Sequence, residues 1–173
     1  MMKKIFLFIF ATTICCACND DDVYSPLPEG YSYATNNSFL ANGVMTGENM
    51  HFFGTSEVTD AEGNVYVDDK AHFEFEGNSE KLSIYMHQTR FAAAMPPIEM
   101  LIPELGYTGV EKNVEFTSSR VVPEANIAQS GYQPYERYMI TNLEGSVNNL
   151  VCRVSFTCMG VFNVTYIGVL IVK

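Results

Sequence analysis

The sequence predicts an all-β protein, an antiparallel up-and-down β-barrel of about eight strands, with a β-sandwich as the alternative. From Ser38 onward, apolar residues recur with a period of two, which is typical of strands with one buried face. Turn signals separate these segments at short intervals, and little in the pattern favours helix. The last segment, 161–172, is apolar on both faces, so we expect it to be central in the sheet or covered on both sides.

Four strand candidates lie in the first half of this region. The clearest is 65–76, in which apolar and polar side chains alternate. We expect 81–90 to follow it after a turn, and a hairpin turn at 61–64 to join 50–59 to it. The fourth candidate, 38–46, is shorter. In 65–76, the side chains predicted to face the core are Val65, Val67, Ala71, Phe73 and Phe75.

The second half contains a less regular middle and three clear strands. We predict two short strands in the middle, 98–102 and 113–122, each ended by a proline. A turn at 146–149 separates the first two clear strands. The three clear strands are 135–145, 150–159 and 161–172.

The first 17 residues have the organisation of a bacterial lipoprotein signal peptide. Lys3 and Lys4 precede an apolar run, 5–14, that is too short to span a bilayer as a helix. A small residue then precedes Cys18, which resembles a lipobox, the motif whose cysteine is acylated and becomes the first residue of the mature chain. We therefore predict a signal peptide at 1–17 and lipid attachment at Cys18. Two neighbouring cysteines, at positions 15 and 16, are competing candidates.

An acidic, flexible tether is predicted at 18–37, because the segment is polar and has no hydrophobic period. Its start, 19–22, resembles the acidic tag that follows the cysteine in many surface-exposed lipoproteins of Bacteroidetes. We expect an outer-membrane lipoprotein exposed at the cell surface and held to the membrane by its lipid. The alternatives are a periplasm-facing protein and acids that merely keep the tether solvated.

The charge and the cysteines of the mature chain exclude several classes of partner and site. Loss of Lys3 and Lys4 leaves eight of the ten basic residues against twenty acidic ones, a formal charge of −12. Nucleic acids and anionic lipid surfaces need clustered lysine and arginine, so we expect neither as a partner. Cys152 and Cys158 lie six residues apart on one predicted strand, which places their Cα atoms about 20 Å apart. That separation excludes a disulfide, and we expect buried free thiols.

The motifs of common hydrolases and nucleotide-binding enzymes are missing from the sequence, which has no G-x-S-x-G, no H-E-x-x-H and no Walker loop. We therefore predict a protein that is not an enzyme and has no cofactor and no catalytic residues. His51, His72 and His87 fall on three different predicted strands. His72, Glu74 and Glu76 share one strand face, where a metal ion could bridge them, but a lysine shares that face too. We favour a solvated face and predict no metal site.

The feature most open to a functional interpretation is the apolar middle of the chain, which is rich in methionine and proline and has few charges. Flexible methionines suit a pocket that accepts varied apolar ligands. The alternative is that this segment closes one end of the barrel and its methionines fill gaps in the core. The candidate ligand-binding residues are Met86, Phe91, Met95 and Met100, with Phe73, Phe75 and Phe156 from other predicted strands.

Several segments are similar to the calycin-like (lipocalin-like) lipoproteins of gut Bacteroidetes. They are Ile84-Tyr85-Met86-His87, continuing through Phe91 and Met95-Pro96 to Ile102-Pro103, then Val154-Ser155-Phe156-Thr157 and the apolar last strand. The resemblance covers most of 35–173 and implies an antiparallel β-barrel domain, 38–173, whose role in that family is generally unestablished. A true lipocalin carries Gly-x-Trp near its first strand, and this chain has no tryptophan.

Two functions are compatible with these features. In the first, the interior or the mouth of the barrel holds a small apolar ligand. In the second, the barrel is a filled structural or interaction module whose outer surface contacts another envelope protein or a glycan. The sequence leaves both open, because an eight-stranded barrel has room for its own side chains or for one small ligand.

Overall fold

A computed structural model describes residues 26–173, and these residues form thirteen strands and one turn of 3₁₀ helix, Glu136–Tyr138. The predicted signal peptide, Cys18 and the first part of the predicted tether lie outside the described residues. No helix within this part of the chain is long and apolar enough to cross a membrane. The strands are β1 (Ser32–Tyr33), β2 (Leu40–Ala41), β3 (Val44–Met45), β4 (Met50–Thr59), β5 (Val65–Gly77), β6 (Lys81–Thr89), β7 (Ile98–Val110), β8 (Asn113–Val121), β9 (Glu124–Asn126), β10 (Gln133–Pro134), β11 (Ile140–Asn148), β12 (Val151–Cys158) and β13 (Phe162–Val172).

Eight of these strands close into an antiparallel barrel. Strands β4 to β8 and β11 to β13 each pair with the next strand of the set, and β13 pairs with β4 to complete the circle. Because the strands follow one another in chain order, the barrel is of the up-and-down type. The predicted fold class is confirmed, and the sandwich alternative is excluded.

Inward-facing side chains fill the barrel. Phe73 stacks on Tyr166 with the ring centroids 3.8 Å apart, and the Tyr166 hydroxyl donates a hydrogen bond of 2.8 Å to the carbonyl of Phe52. Phe75 meets the rings of Phe52 and Phe116 edge to face. Other buried members of the same core are Met50, Val58, Leu82, Ile84, Met86, Met100, Ile102, Val114, Leu143, Val147, Cys152, Val154, Phe156, Val164 and Leu170.

Both ends of the barrel are covered by chain that connects or precedes its strands. At one end, the β2–β3 hairpin turns through Asn42 and Gly43, which both have positive φ, as tight two-residue hairpins require. The Gly43 amide donates a hydrogen bond of 2.6 Å to the carbonyl of Glu111 in the β7–β8 turn. At the opposite end, the ring of Phe91 packs against that of Tyr138, with the centroids 6.2 Å apart.

A bulge in β5 changes the burial of its first half. The register with β4 shifts by one residue after the pair Gly54 and Ala71. A shift of one residue reverses the face to which each side chain points. Val65 and Val67 consequently point outward and are 57% and 53% exposed. The prediction that these two valines face the core is therefore wrong, whereas Phe73, beyond the bulge, is buried as predicted.

Three predicted strands also differ from the structure. The predicted strand 38–46 is a hairpin of two short strands, β2 and β3. Strand β7 continues through Pro103, because the pairing with β6 shifts here and Glu104 takes a positive φ of 49°. Such a bulge tolerates proline, which cannot donate a ladder hydrogen bond. Strand β11 covers Ile140–Asn148 instead of 135–145, and the turn that follows it is built on Asn149, which also has positive φ.

The last part of the predicted tether packs against the barrel. Strand β1 pairs with the end of β13, and the amide of Ala34 donates a hydrogen bond of 2.9 Å to the carbonyl of Leu170. The buried side chain of Asn37 donates a hydrogen bond of 2.6 Å to the carbonyl of Asn149. The chain thus contacts the domain before residue 38, where the sequence predicts the domain to begin.

The two cysteines of the described residues are buried free thiols, as predicted. Cys152 and Cys158 both lie on the buried face of β12. Burial raises the pKa of Cys158 to about 12 and that of Cys152 well above its ordinary value. Neither thiol therefore ionises near neutral pH, and both serve as small apolar side chains.

Candidate functional site

A cluster of histidine and glutamate side chains lies on the outer wall of the barrel. We call it the outer-wall cluster, and it consists of His51 from β4, His72 and Glu74 from β5, His87 from β6 and Glu99 from β7. It contains all three histidines of the chain. These residues alternate along their strands with buried core residues, so their side chains point away from the filled interior.

Strand pairing brings the outer-wall cluster together. His51 lies directly opposite Glu74, and His72 lies directly opposite His87. Directly opposite residues on antiparallel strands have Cβ atoms about 4.5–5.5 Å apart, close enough for their side chains to interact. Glu99 joins at the end of β6, where the register with β7 shifts.

Short polar contacts link the five side chains into one continuous network. The Nδ1 atom of His51 lies 3.2 Å from Nε2 of His72. The Oε2 atom of Glu74 lies 3.8 Å from Nδ1 of His51 and 3.0 Å from Nε2 of His87. On the other side of its ring, Nδ1 of His87 lies 2.9 Å from Oε2 of Glu99. Each imidazole therefore has a polar partner within the cluster.

Two of the three histidines are uncharged near neutral pH. The pKa of His72 is lowered to about 4, mainly by burial and then by the neighbouring His87 and His51, against the opposing effect of the two glutamates. Burial is also the largest cause that lowers the pKa of His51, although Glu74 opposes it. The 3.8 Å contact between His51 and Glu74 is therefore not an ion pair at neutral pH. A neutral imidazole keeps one nitrogen lone pair that can bind a cation.

The two carboxylates of the cluster are held in their ionised form. Burial raises the pKa of Glu74, but hydrogen bonds from Asn49 and His87 outweigh burial, so the pKa lies below its ordinary value. In Glu99, hydrogen bonds from the side chain and backbone of Gln88 outweigh burial in the same way. An ionised carboxylate can only accept hydrogen bonds, and the His87 ring lies between the two carboxylates, with Nε2 3.0 Å from Glu74 and Nδ1 2.9 Å from Glu99.

Tyrosine rings from three parts of the chain border the outer-wall cluster. Tyr31, which precedes β1, meets the ring of His51 edge to face, with the centroids 5.5 Å apart. Tyr85 of β6 lies parallel to His87 at 6.4 Å, and Tyr132 from the β9–β10 connection meets the edge of Tyr85. Burial and a hydrogen bond to a glutamate raise the pKa of Tyr85 to about 12, so it is a neutral wall of the site.

The structure brings all three histidines together, although the sequence pattern places them on three separate strands. His72 and Glu74, considered in the sequence as neighbours on one strand face, both belong to the cluster. Glu76 lies outside the cluster, and its carboxylate accepts a hydrogen bond of 2.8 Å from Tyr85. The sequence treats His51 and His87 as scattered, and only the pairing of neighbouring strands places them beside His72.

The seven candidate ligand-binding residues all contribute to the packed core. Six are buried, and the seventh, Met95, is partly buried and packs against the core. A role for these residues in binding an apolar ligand stays a prediction. The six buried residues are Phe73, Phe75, Met86, Phe91, Met100 and Phe156.

Two open clefts lie over other parts of the outer wall. One, of about 430 Å³, lies over strands β8, β11, β12 and β13 and is bordered by Glu115, Glu144 and Arg153. The other, of about 410 Å³, is bordered by Glu80 and Tyr107. Neither cleft is lined by any of the candidate ligand-binding residues or by the outer-wall cluster.

Comparisons with known proteins give no indication of the function. No protein-family model matches the chain, and no curated protein or solved structure is significantly similar to it. The barrel agrees with the fold that a calycin-like lipoprotein implies, while membership of that family stays a prediction. A barrel of this kind serves many functions, so function must be argued from the side chains of the site.

Proposed function

We propose that this protein is a lipid-anchored lipoprotein of the outer membrane whose filled barrel is a scaffold and whose outer wall makes the functional contacts. One observation carries the proposal. The interior positions are occupied by aromatic and aliphatic side chains in mutual contact, whereas polar groups with shifted pKa values gather outside, at the outer-wall cluster. Titratable groups with shifted pKa values are concentrated at functional sites.

The packing of the interior supports the outer wall as the working surface. Phe73, Met86 and Met100 are at most 1% exposed, so a ligand would have to displace side chains that already make close contacts. Protein interiors are close-packed, and opening one for a ligand costs the contacts that are lost. The predicted absence of enzymatic activity belongs to the same proposal.

The anchor supports an envelope location for this surface. The predicted lipid at Cys18 would be joined to the barrel by a tether whose last residues pack beside the cluster, since Tyr31 meets His51 and His72. Two or more acyl chains hold a protein stably on a membrane, whereas one holds it marginally. The strongly acidic chain would remain soluble and repel anionic surfaces.

A fluorescent fatty acid tests whether the interior takes up an apolar ligand. The chain from residue 19 to 173, which carries the whole barrel without its lipid, is titrated with the probe. We expect no saturable increase in fluorescence. Saturable binding of one probe per chain that is lost in the core variant M86F, where a larger side chain would block the interior, would contradict the filled scaffold.

Native mass spectrometry of the acylated protein, purified from its own membrane, tests the outer wall. We expect any species that co-purifies with the wild type to be lost from the variant Y85A and kept by the variant R153Q, which changes another part of the wall. A co-purifying molecule that survives Y85A and is lost on F156L would assign the function to the interior instead.

A further inference from the structure

We propose that the outer-wall cluster binds one divalent transition-metal ion, with Zn²⁺ as the best-matched ion, through His51, His72, Glu74 and His87. The inference rests on the proposal that the outer wall is the functional surface, and it gives that surface a ligand. The donor atoms are Nδ1 of His51, Nε2 of His72, Oε2 of Glu74 and Nε2 of His87. Glu99 is a positioning residue that would contact His87 and not the metal.

The separations between the donor atoms fit a tetrahedral site. Zinc binds imidazole nitrogen and carboxylate oxygen at about 2.0–2.2 Å, and a tetrahedron of that size has ligand atoms about 3.3 Å apart. Three of the six edges are given by contacts of 3.2, 3.8 and 3.0 Å, which run in sequence through His72, His51, Glu74 and His87. These three separations lie near the distances that one shared metal ion requires.

The atoms that face away from the donors have the partners that metal ligands need. Metal-binding histidines commonly donate their second ring N–H to a carboxylate, which fixes the ring and raises its basicity. His87 does this through Nδ1 and Glu99, at 2.9 Å, and Gln88 in turn holds Glu99. The Oε1 atom of Glu74 accepts a hydrogen bond from Asn49, which leaves Oε2 as the donor.

In the structure, hydrogen bonds and not a metal ion connect the proposed donor atoms. Within residues 26–173, no group of three or more histidine, cysteine or acidic side chains is arranged to hold a metal ion without movement. In the outer-wall cluster, the proposed donor atoms lie within hydrogen-bond distance of one another instead. Metal binding would require each metal-facing imidazole nitrogen to be free of its proton, which would pass to the far nitrogen of the same ring or to solvent. Side-chain rotations then bring the four donors to a common centre.

The type and charge of the donors select the class of metal. Three imidazoles and one carboxylate suit zinc, nickel, cobalt and copper, whereas calcium and magnesium prefer oxygen ligands throughout. The two carboxylates of the cluster, Glu74 and Glu99, match the charge of one divalent ion. The ammonium of Lys173, which lies over the Tyr31 ring at 5.3 Å, is the nearby positive charge that such an ion must tolerate.

The test titrates the full acylated protein, stripped with a chelator and held in detergent, with Zn²⁺ by calorimetry. We expect one zinc ion per chain, and the variants H51A, H72A and H87A each to weaken binding more than tenfold. The variant E104Q, which removes an exposed glutamate paired with Lys81 elsewhere on the barrel, should bind like the wild type. Titration with Co²⁺ should give the intense visible absorption of a tetrahedral complex.

Specific outcomes overturn the inference. Absence of zinc binding at micromolar concentration would do so, as would binding unaffected by all three histidine substitutions, or a cobalt spectrum typical of six oxygen ligands. Circular dichroism of each variant is to check that the barrel remains folded, so that a loss of binding reports the loss of a ligand. A failure of metal binding would leave the fatty-acid and co-purification results untouched, and these alone decide whether the outer wall is the functional surface.

Discussion

The substitution F73A is the sharpest test of a filled interior. Phe73 is 1% exposed, and its ring stacks on Tyr166 at 3.8 Å with an angle of 10° between the planes. If the interior is packed, truncation leaves a cavity in addition to the lost transfer free energy, a cost of about 3–5 kcal/mol. Loss of the aromatic pair, about 0.5–1.5 kcal/mol, favours the upper part of that range.

A ligand pocket would give a different magnitude. A phenylalanine that lines an open pocket has no neighbours on its ligand side, so its truncation forfeits fewer contacts. We would then expect a cost below about 2 kcal/mol. The outward-facing Val67, which is 53% exposed, provides the matched control, and V67A should change the free energy of unfolding by less than about 0.5 kcal/mol.

Urea unfolding followed by circular dichroism measures these costs, with equal m-values required for a valid comparison. If F73A does not fold, F73L gives a smaller change of the same origin, which we expect to be about 1–2 kcal/mol. A cost for F73A close to that of V67A would refute the argument that the interior is packed.

Three further predictions concern the cluster, the packing and the anchor. Because the pKa of His72 falls from 6.5 to about 4 on folding, the unfolded chain binds more protons than the folded chain between these pH values. The metal-free protein should therefore become more stable as the pH rises from 4 to 6.5. In the H72Q variant, the slope of stability against pH should be smaller by up to about 1 kcal/mol per pH unit, and an equal slope would contradict the shifted pKa. The substitution G145A places a Cβ against the ring of Phe116 and should cost about 1–3 kcal/mol of the free energy of unfolding in urea. F116L should partly relieve this cost, and additive effects of the two substitutions would disprove the clash. The C18A variant should lose labelled fatty acid and leave the membrane fraction, whereas C16A should keep both, and the reverse result would move the lipid to the other cysteine.

The sequence predicts the barrel and its core well, because strand periodicity is a local property. The alternation that includes Phe73 and Phe75 places them inside, and they are buried. The same rule fails at Val65 and Val67, because the bulge in β5 reverses the face of every residue before it. The one local sign of the bulge is Asp69, an acidic residue at a position that the alternation would bury.

Only part of the outer-wall cluster could have been predicted from the sequence. The turn after Gly77 fixes the β5–β6 register, so the pairing of His72 with His87 could have been counted from the hairpin. His51 could not have been placed, because an unbulged pairing from the β4–β5 turn would set it opposite Phe73, on the wrong face. The cluster therefore depends on a bulge that tertiary structure determines.

Anomalous diffraction from crystals of the protein grown with zinc tests the central claim, that the barrel is filled and functions through its outer wall. We predict one anomalous peak, about 2.0–2.2 Å from donor atoms of His51, His72, Glu74 and His87, and an interior in which side chains account for all of the density. Elongated ligand density between Phe73 and Met86, with no peak at the cluster, would contradict it.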